Sequence, residues 1–388
     1  MKIAFDLRRI RNLGIGRYMK CLVEAILTQE PLGDYLLILP PGAERMIEGG
    51  TIGAKTITPK LKYYSVREQF QLPRILRDHK VDLLHAPHFM LPLMRPCASV
   101  VTIHDVIGLM WKEDLRSPVG RVYYRWMISA AARLADRIIT DSNFSRDDIV
   151  RCLGVDREKI KVVYPGISPD FQPTNNDVQL ENIRTRYRIE HDYIVYTAIY
   201  KPRKNHSALL QAFRSFLSIE KHANLVLVGP LGDGEGELRR LANELGICEK
   251  VIFTGFVNDS ELRALYSAAK VYACPSLYEG FGFTVLEAMA CGTAVVCSDE
   301  TSLPEVAGEA ALYANPGNPE EFAKAMHGAF TNDNLRRALI AKGRKNLRRF
   351  CWANAAKETL AVYQEALGVS LRKTRPGLSA AAADLTDS

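Results

Sequence analysis

The chain of 388 residues has no window of about 18 apolar residues, the length a helix needs to cross a bilayer. Its first residues, Met1-Lys2-Ile3-Ala4-Phe5-Asp6, read as a strand from the outset, with no apolar signal region. A cytoplasmic protein is therefore expected. No two of the eight cysteines, at 21, 97, 152, 248, 274, 291, 297 and 351, have the two-residue spacing of zinc or redox motifs. Several sit inside apolar runs, so they read as reduced core residues. The full six-residue glycine fingerprint of dinucleotide-binding proteins is missing too. Gly14-Ile15-Gly16 supplies only a glycine pair, which argues against a dehydrogenase. The net charge of +7 permits anionic partners, but no nucleic-acid-binding motif accompanies it and nucleic acid is not expected.

What is present points to two α/β domains. With 47% hydrophobic and 24% charged residues, the chain is too long for one ordinary core. Short apolar runs at 35–39, 81–85, 99–104 and 137–141 alternate with helical or loop segments. The second half repeats the pattern with runs at 193–198, 224–229, 251–255 and 271–276. Such alternation predicts doubly wound parallel sheets. A polar stretch near 166–180, carrying Pro169, Pro173, Asn175 and Asn176, reads as the linker. Residues 368–388, rich in Ala, Ser and charge, read as a disordered tail.

In doubly wound sheets ligands bind beyond the carboxyl ends of the strands, where His85, His88, His104-Asp105 and Asp141-Ser142 fall. His104 is the most pointed of these, although a histidine satisfied by backbone at a strand end reads the same way. The central stretch is Tyr278-Glu279-Gly280-Phe281-Gly282-Phe283, between a buried strand at 271–276 and a helix at 284–290 stopped by Gly292. Glu279 lies in the loop and Glu287 about one and a half turns into the helix. The amides of Gly280, Phe281, Gly282 and Phe283 can face a ligand. Carboxylates accept hydrogen bonds from hydroxyls, while amides and a helix start face negative charge, so the stretch suits a polyhydroxylated, diphosphate-bearing ligand. An ordinary helix start, with Glu287 on a solvated face, fits the same spacing. The turn Lys201-Pro202-Arg203-Lys204-Asn205 follows the first strand of the second half, so Arg203 and Lys204 stand where a diphosphate would sit, unless they are a solvated charge run. A helical stretch at 111–137 mixes Arg116, Arg121, Arg125, Arg133 and Arg137 with Val122, Tyr123, Tyr124, Trp126 and Met127. It reads either as a face that rests on an anionic membrane or as a core-packed helix with solvated arginines.

Taken together, the glycine pair, His104-Asp105, Pro202-Arg203-Lys204-Asn205, the glutamates at 279 and 287, and Phe350-Cys351-Trp352 before a final helix resemble the retaining glycosyltransferases of family 4 over residues 1–367. The resemblance implies the GT-B fold: two Rossmann-like domains facing across a cleft, with the last helix crossing back to the first. That gives domains at 1–170 with 350–367, and at 180–349. It further implies that Arg203 and Lys204 hold a donor diphosphate, Glu287 the ribose hydroxyls and Glu279 the sugar hydroxyls. The amides of 280–283 would flank the sugar, Gly16 would approach it from the other domain, and His104 would line the reaction centre. Two departures are visible, Ala198 where the family usually has glycine and Lys201 where it often has an acid. No cofactor and no metal are expected, since the Asp-x-Asp pair of metal-dependent glycosyltransferases is missing. The implied activity is transfer of a hexosyl group, with mannose from GDP-mannose favoured, onto a lipid-linked saccharide during surface polysaccharide (lipopolysaccharide) assembly at the inner face of the plasma membrane. A UDP-sugar donor, a UDP-N-acetylglucosamine epimerase of the same fold, and a non-catalytic sugar-binding module are the alternatives.

Overall fold

The computed structural model describes all residues except 48–53, 62–64, 66, 115–116, 175, 233 and 375–388. Arg116, Asn175 and the greater part of the expected tail lie outside the described residues. The chain forms two compact units, Met1–Gly166 with the segment from Cys351 onward, and Ile167–Phe350.

In the first unit the order is β1 (Lys2–Asp6), α1 (Leu13–Gln29), β2 (Asp34–Ile38), β3 (Ala54–Ile57), α2 (Glu68–Asp78), β4 (Leu83–Ala86), β5 (Ala98–Thr102), α3 (Ile107–Met110), α4 (Pro118–Leu134), β6 (Arg137–Thr140), α5 (Asn143–Leu153) and β7 (Ile160–Val162). All its strand pairings are parallel, in the order β3-β2-β1-β4-β5-β6-β7. The second unit runs α6 (Asp177–Tyr187), β8 (Asp192–Thr197), α7 (His206–Leu217), β9 (Ala223–Val228), α8 (Gly234–Glu244), β10 (Val251–Gly255), α9 (Asp259–Ala268), β11 (Val271–Cys274), α10 (Phe283–Ala290), β12 (Ala294–Ser298), α11 (Leu303–Ala307), β13 (Ala311–Ala314), α12 (Pro319–Thr331) and α13 (Asp333–Asn346). Its sheet, also wholly parallel, has the order β10-β9-β8-β11-β12-β13. The last helix, α14 (Trp352–Thr374), belongs to the first unit.

Both sheets are doubly wound, with their central strands buried on both faces, which is why β8, β9, β11 and β12 are near-continuous apolar runs and do not alternate. In each, the strand order reverses beside the first strand, leaving a crevice at the carboxyl ends between β1 and β4 and again between β8 and β11.

The helix α14 joins the first unit by laying a stripe of Ala355, Ala356, Thr359, Val362, Tyr363 and Ala366, all buried, against that body, with α1 its main neighbour. α1 buries Tyr18, Met19, Leu22, Val23 and Ile26, spaced for one helical face, and its Tyr18 ring lies 5.8 Å from that of Trp352 at the start of α14.

Several sequence expectations need correction. Gly14 and Gly16 lie inside the first turn of α1 and do not form a turn before it. The division between units falls after Gly166 rather than at 170, and α6 occupies the end of the expected linker. Phe350 stays with the second unit, and α14 continues to Thr374, so residues 368–374 are helical and not a tail.

Candidate active site

The crevice between β8 and β11 gathers the charged candidates of the second unit. After β8 the chain takes a single 3₁₀ turn, Pro202–Lys204, and then Asn205 adopts a left-handed conformation at φ 58° immediately before α7. Asparagine tolerates that region better than most side chains. Its amide donates to the carbonyls of Pro275 (3.1 Å) and Pro316 (2.8 Å), while the Leu277 amide donates to the Arg203 carbonyl at 2.8 Å. The turn after β8 is thereby fastened to the loop after β11.

Across that junction Lys204 Nζ meets Glu279 Oε1 at 2.5 Å, with side chains only 15% and 10% exposed. Ser276 Oγ donates to the same carboxylate oxygen at 2.7 Å, and the Tyr196 hydroxyl lies 3.2 Å from Ser276 Oγ and donates to the Lys204 carbonyl at 2.8 Å. Burial pushes the Glu279 carboxyl up, but the charges of Lys204 and Arg203 and the hydrogen bonds from Lys204 and Ser276 outweigh it. The carboxyl is held below its ordinary value and stays ionised. The Arg203 guanidinium reaches toward the Tyr278 carbonyl at 3.5 Å.

Gly282, at φ 104°, is the position where the chain turns into α10; a side chain there would be strained and would also press on Leu303. Phe281 is buried, its ring 5.0 Å from Phe283 and 5.7 Å from Phe350, so its side chain belongs to the core and only its backbone can serve a ligand. Glu287 is 4% exposed within α10, which excludes the solvated face that spacing allowed. The segment after β12 clasps the loop: the Glu279 amide donates to Thr301 Oγ1 (3.2 Å), and Ser302 Oγ donates toward the carbonyls of Glu279 (2.9 Å) and Phe281 (3.0 Å).

The first unit holds Gly16 and His104. An added Cβ at Gly16 would lie 2.1 Å from the Ile10 carbonyl oxygen, so the glycine is demanded by the fold itself. His104 follows β5 and places Nδ1 2.7 Å from Asp141 Oδ2, with Nε2 3.4 Å from the Pro87 carbonyl. Burial lowers its pKa, but Asp141, Asp105 and the Pro87 carbonyl more than reverse this and raise it above the ordinary value. The Tyr18 ring meets the imidazole edge-on at 4.7 Å. His85 differs. It is fully buried between the Tyr363 hydroxyl (Nδ1, 2.6 Å) and Thr102 (Nε2, 2.9 Å), and burial with the nearby His104 pushes its pKa down to about 3. It is a neutral strut that ties α14 to β5. His88, also buried, takes Arg9 at 2.8 Å.

The sequence matches two family models, Glycosyltransferase Family 4 over residues 35–171 and Glycosyl transferases group 1 over residues 181–346. It is 34% identical over 293 residues to O-antigen chain mannosyltransferase B of Escherichia coli, an alignment covering 74% of this chain and 76% of that one. The chain belongs to glycosyltransferase family 4. It is also 31% identical over 266 residues to the serotype-specific mannosyltransferase WbdA of Escherichia coli, covering 67% of this chain but 32% of that longer protein. Among solved structures, Anabaena HepE in complex with UDP-glucose has the same fold, with a TM-score of 0.73 at 21% identity over 94% of this chain and 99% of that one.

Within this glycosyltransferase the structure brings Arg203, Lys204, Glu279 and the loop through Phe283 together in one unit, and it places Gly16 and His104 in the other. Sequence reasoning missed Ser276, three residues before Glu279, and Tyr196, Thr301 and Ser302, which come from elsewhere in the chain. It named Asp141 only as a strand end, without pairing it to His104. Among the described residues no group of three or more His, Cys, Asp or Glu side chains is arranged to hold a metal ion.

Proposed function

We propose that this glycosyltransferase moves a mannosyl group, with retention, from GDP-mannose to a growing lipid-linked saccharide in surface polysaccharide assembly, with neither metal nor cofactor. The observation that carries the reading is the buried Lys204–Glu279 pair at the crevice between β8 and β11, with Arg203 beside it. Breaking a sugar–phosphate bond develops negative charge on the departing diphosphate. Fixed cations and amides beside it lower the barrier without having to reorganise. Arg203, Lys204 and the amides that open α7 take that role, Glu279 accepts the sugar hydroxyls, and Glu287 accepts those of the ribose. The ionised state of Glu279 suits acceptance, since a carboxylate offers only acceptors. Transfer occurs on the front face, the departing phosphate helping to deprotonate the acceptor. Mannose is favoured because the two Escherichia coli relatives above are named mannosyltransferases.

The test is a melting-temperature titration with GDP-mannose, GDP, UDP-glucose and UDP-N-acetylglucosamine in EDTA, with Glu287→Ala alongside. A ligand that binds the folded state raises the melting temperature by mass action. Stabilisation by GDP species alone, lost in Glu287→Ala, supports donor class, metal independence and ribose contact together. Stabilisation by UDP species alone overturns the donor.

Contact with an anionic membrane through α4 completes the reading. Val119, Val122 and Trp126, 79%, 71% and 54% exposed, share one helical face, with Arg121 and Arg125 beside them. No helix among the described residues is long and apolar enough to cross a membrane, so the contact is peripheral. Vesicles containing anionic lipid should lose the protein when Arg121 and Arg125 are neutralised together, and unaltered binding would remove this part of the proposal.

A further inference from the structure

Thr301 is a β-branched residue at φ 61°, one of four non-glycine residues among those described with positive φ. A β-branched side chain in that region is a conformational outlier, and such outliers persist only where the surroundings impose them. Here the surroundings are the sugar-side loop. Thr301 Oγ1 receives the Glu279 amide at 3.2 Å, and its neighbour Ser302, fully buried, directs Oγ to the carbonyls of Glu279 (2.9 Å) and Phe281 (3.0 Å). Leu303, next in line, sits so close to Gly282 that an added Cβ would come within 2.8 Å of its Cδ2. Three consecutive residues after β12 thus hold the amide of Glu279 and the carbonyls of Glu279 and Phe281, and crowd Gly282.

From this geometry we infer that Thr301 and Ser302 are positioning residues for transfer. They fix the peptide planes of the loop from Glu279 to Phe281, and with them the direction in which its amides and the Glu279 carboxylate face the donor sugar. The inference rests on the role proposed above for that loop. Left-handed backbone at Thr301 is what brings a hydroxyl, and not merely a turn, under the Glu279 amide. Glycine would make the turn without strain but would leave that amide without its partner.

The test compares Thr301→Ser, Thr301→Ala, Thr301→Gly and Ser302→Ala in the full chain. Turnover of GDP-mannose, melting temperature and hydrogen exchange of the 280–283 amides are measured for each. Thr301→Ser keeps the hydroxyl and retains kcat within about twofold. Thr301→Ala and Thr301→Gly lower kcat alike, by about five- to tenfold, the scale of one hydrogen bond. Glycine nevertheless melts above alanine, by about 2 °C, because it alone is unstrained at positive φ. Ser302→Ala lowers kcat at least as much as Thr301→Ala. If turnover follows melting temperature, with glycine more active than alanine, the role is merely structural and the inference falls. Exchange is measured without any donor: the 280–283 amides exchange faster in Thr301→Gly and Thr301→Ala than in wild type, and unchanged rates overturn the inference. Should GDP-mannose prove not to be the donor, the exchange comparison alone decides.

Discussion

The two units share a strand order around their first strand but use the crevice beside it differently. In the second unit, a cation from the turn after β8 pairs with an acid from the loop after β11, so the ion pair spans the crevice. In the first unit, the cation after β1 is consumed locally. Arg8 binds Asp6 at 2.6 Å and Glu68 at 2.5 Å, all three side chains buried, and locks the end of β1 to the start of α2. The titratable pair of that unit, His104 and Asp141, stands further along, after β5 and β6. One topology therefore carries a charge pair across the crevice in one unit and folds it away beside the first strand in the other.

Breaking the closed cluster should produce the largest change in stability. Arg8→Ala leaves Asp6 and Glu68 buried without this cation, and chemical denaturation should report a loss of about 3–5 kcal/mol. The crevice pair should instead register in rate. Lys204→Ala is expected to lower kcat by about 10²–10³, read by donor turnover under conditions where the variant remains folded. The pair also has a pH signature. The Glu279 carboxyl sits below its ordinary value of 4.5, so its stabilisation is complete above that value and is lost as pH falls through the lower, folded one. The melting-temperature gap between wild type and Glu279→Gln should accordingly close on acidification.

His104 has the opposite sign. Its pKa is raised from 6.5, so its contribution is full below 6.5 and disappears as pH rises through the folded value. Asp141→Asn removes the main cause of that rise. The His104 titration followed by NMR should move down, with a stability loss at pH 6 of about 1.5–3 kcal/mol, the worth of a charge-assisted hydrogen bond. The smallest effect belongs to the strut. Tyr363→Phe removes the hydroxyl at His85 Nδ1 and should cost about 1 kcal/mol in denaturation with kcat unchanged.

How much of this was legible in the sequence varied with locality. The alternation of apolar runs and helical segments revealed both sheets, and Arg203, Lys204 and Glu279 were found because each sits in a compact motif beside a strand end. Strand β3, Ala-Lys-Thr-Ile, escaped notice because it is a half-exposed edge strand without an apolar run. Helix α2 was missed because Pro73 inside it reads as a breaker. Gly14 and Gly16 looked like a turn because glycine disfavours helices, yet both lie in the first turn of α1, where a side chain at Gly16 would clash with the Ile10 carbonyl. Strand-end position could not separate His85 from His104. Only the tertiary neighbours, Tyr363 for one and Asp141 for the other, make the first a neutral strut and raise the pKa of the second. Thr301 and Ser302 were invisible for a similar reason, since their partners lie about 20 residues away in the chain.

The return of α14 to the first unit also sets an order of synthesis. The second unit is one continuous stretch, Ile167–Phe350, whereas the first needs residues from both sides of it. A ribosome delivers the chain from the amino end at about 5–20 residues per second, so domains usually mature in that order. Here the domain begun first is completed last. Until Trp352 and Tyr363 emerge, the Tyr18 ring and the His85 imidazole lack these partners for the seconds in which the second unit is made, and a nascent chain paused there would present an unfinished core to chaperones.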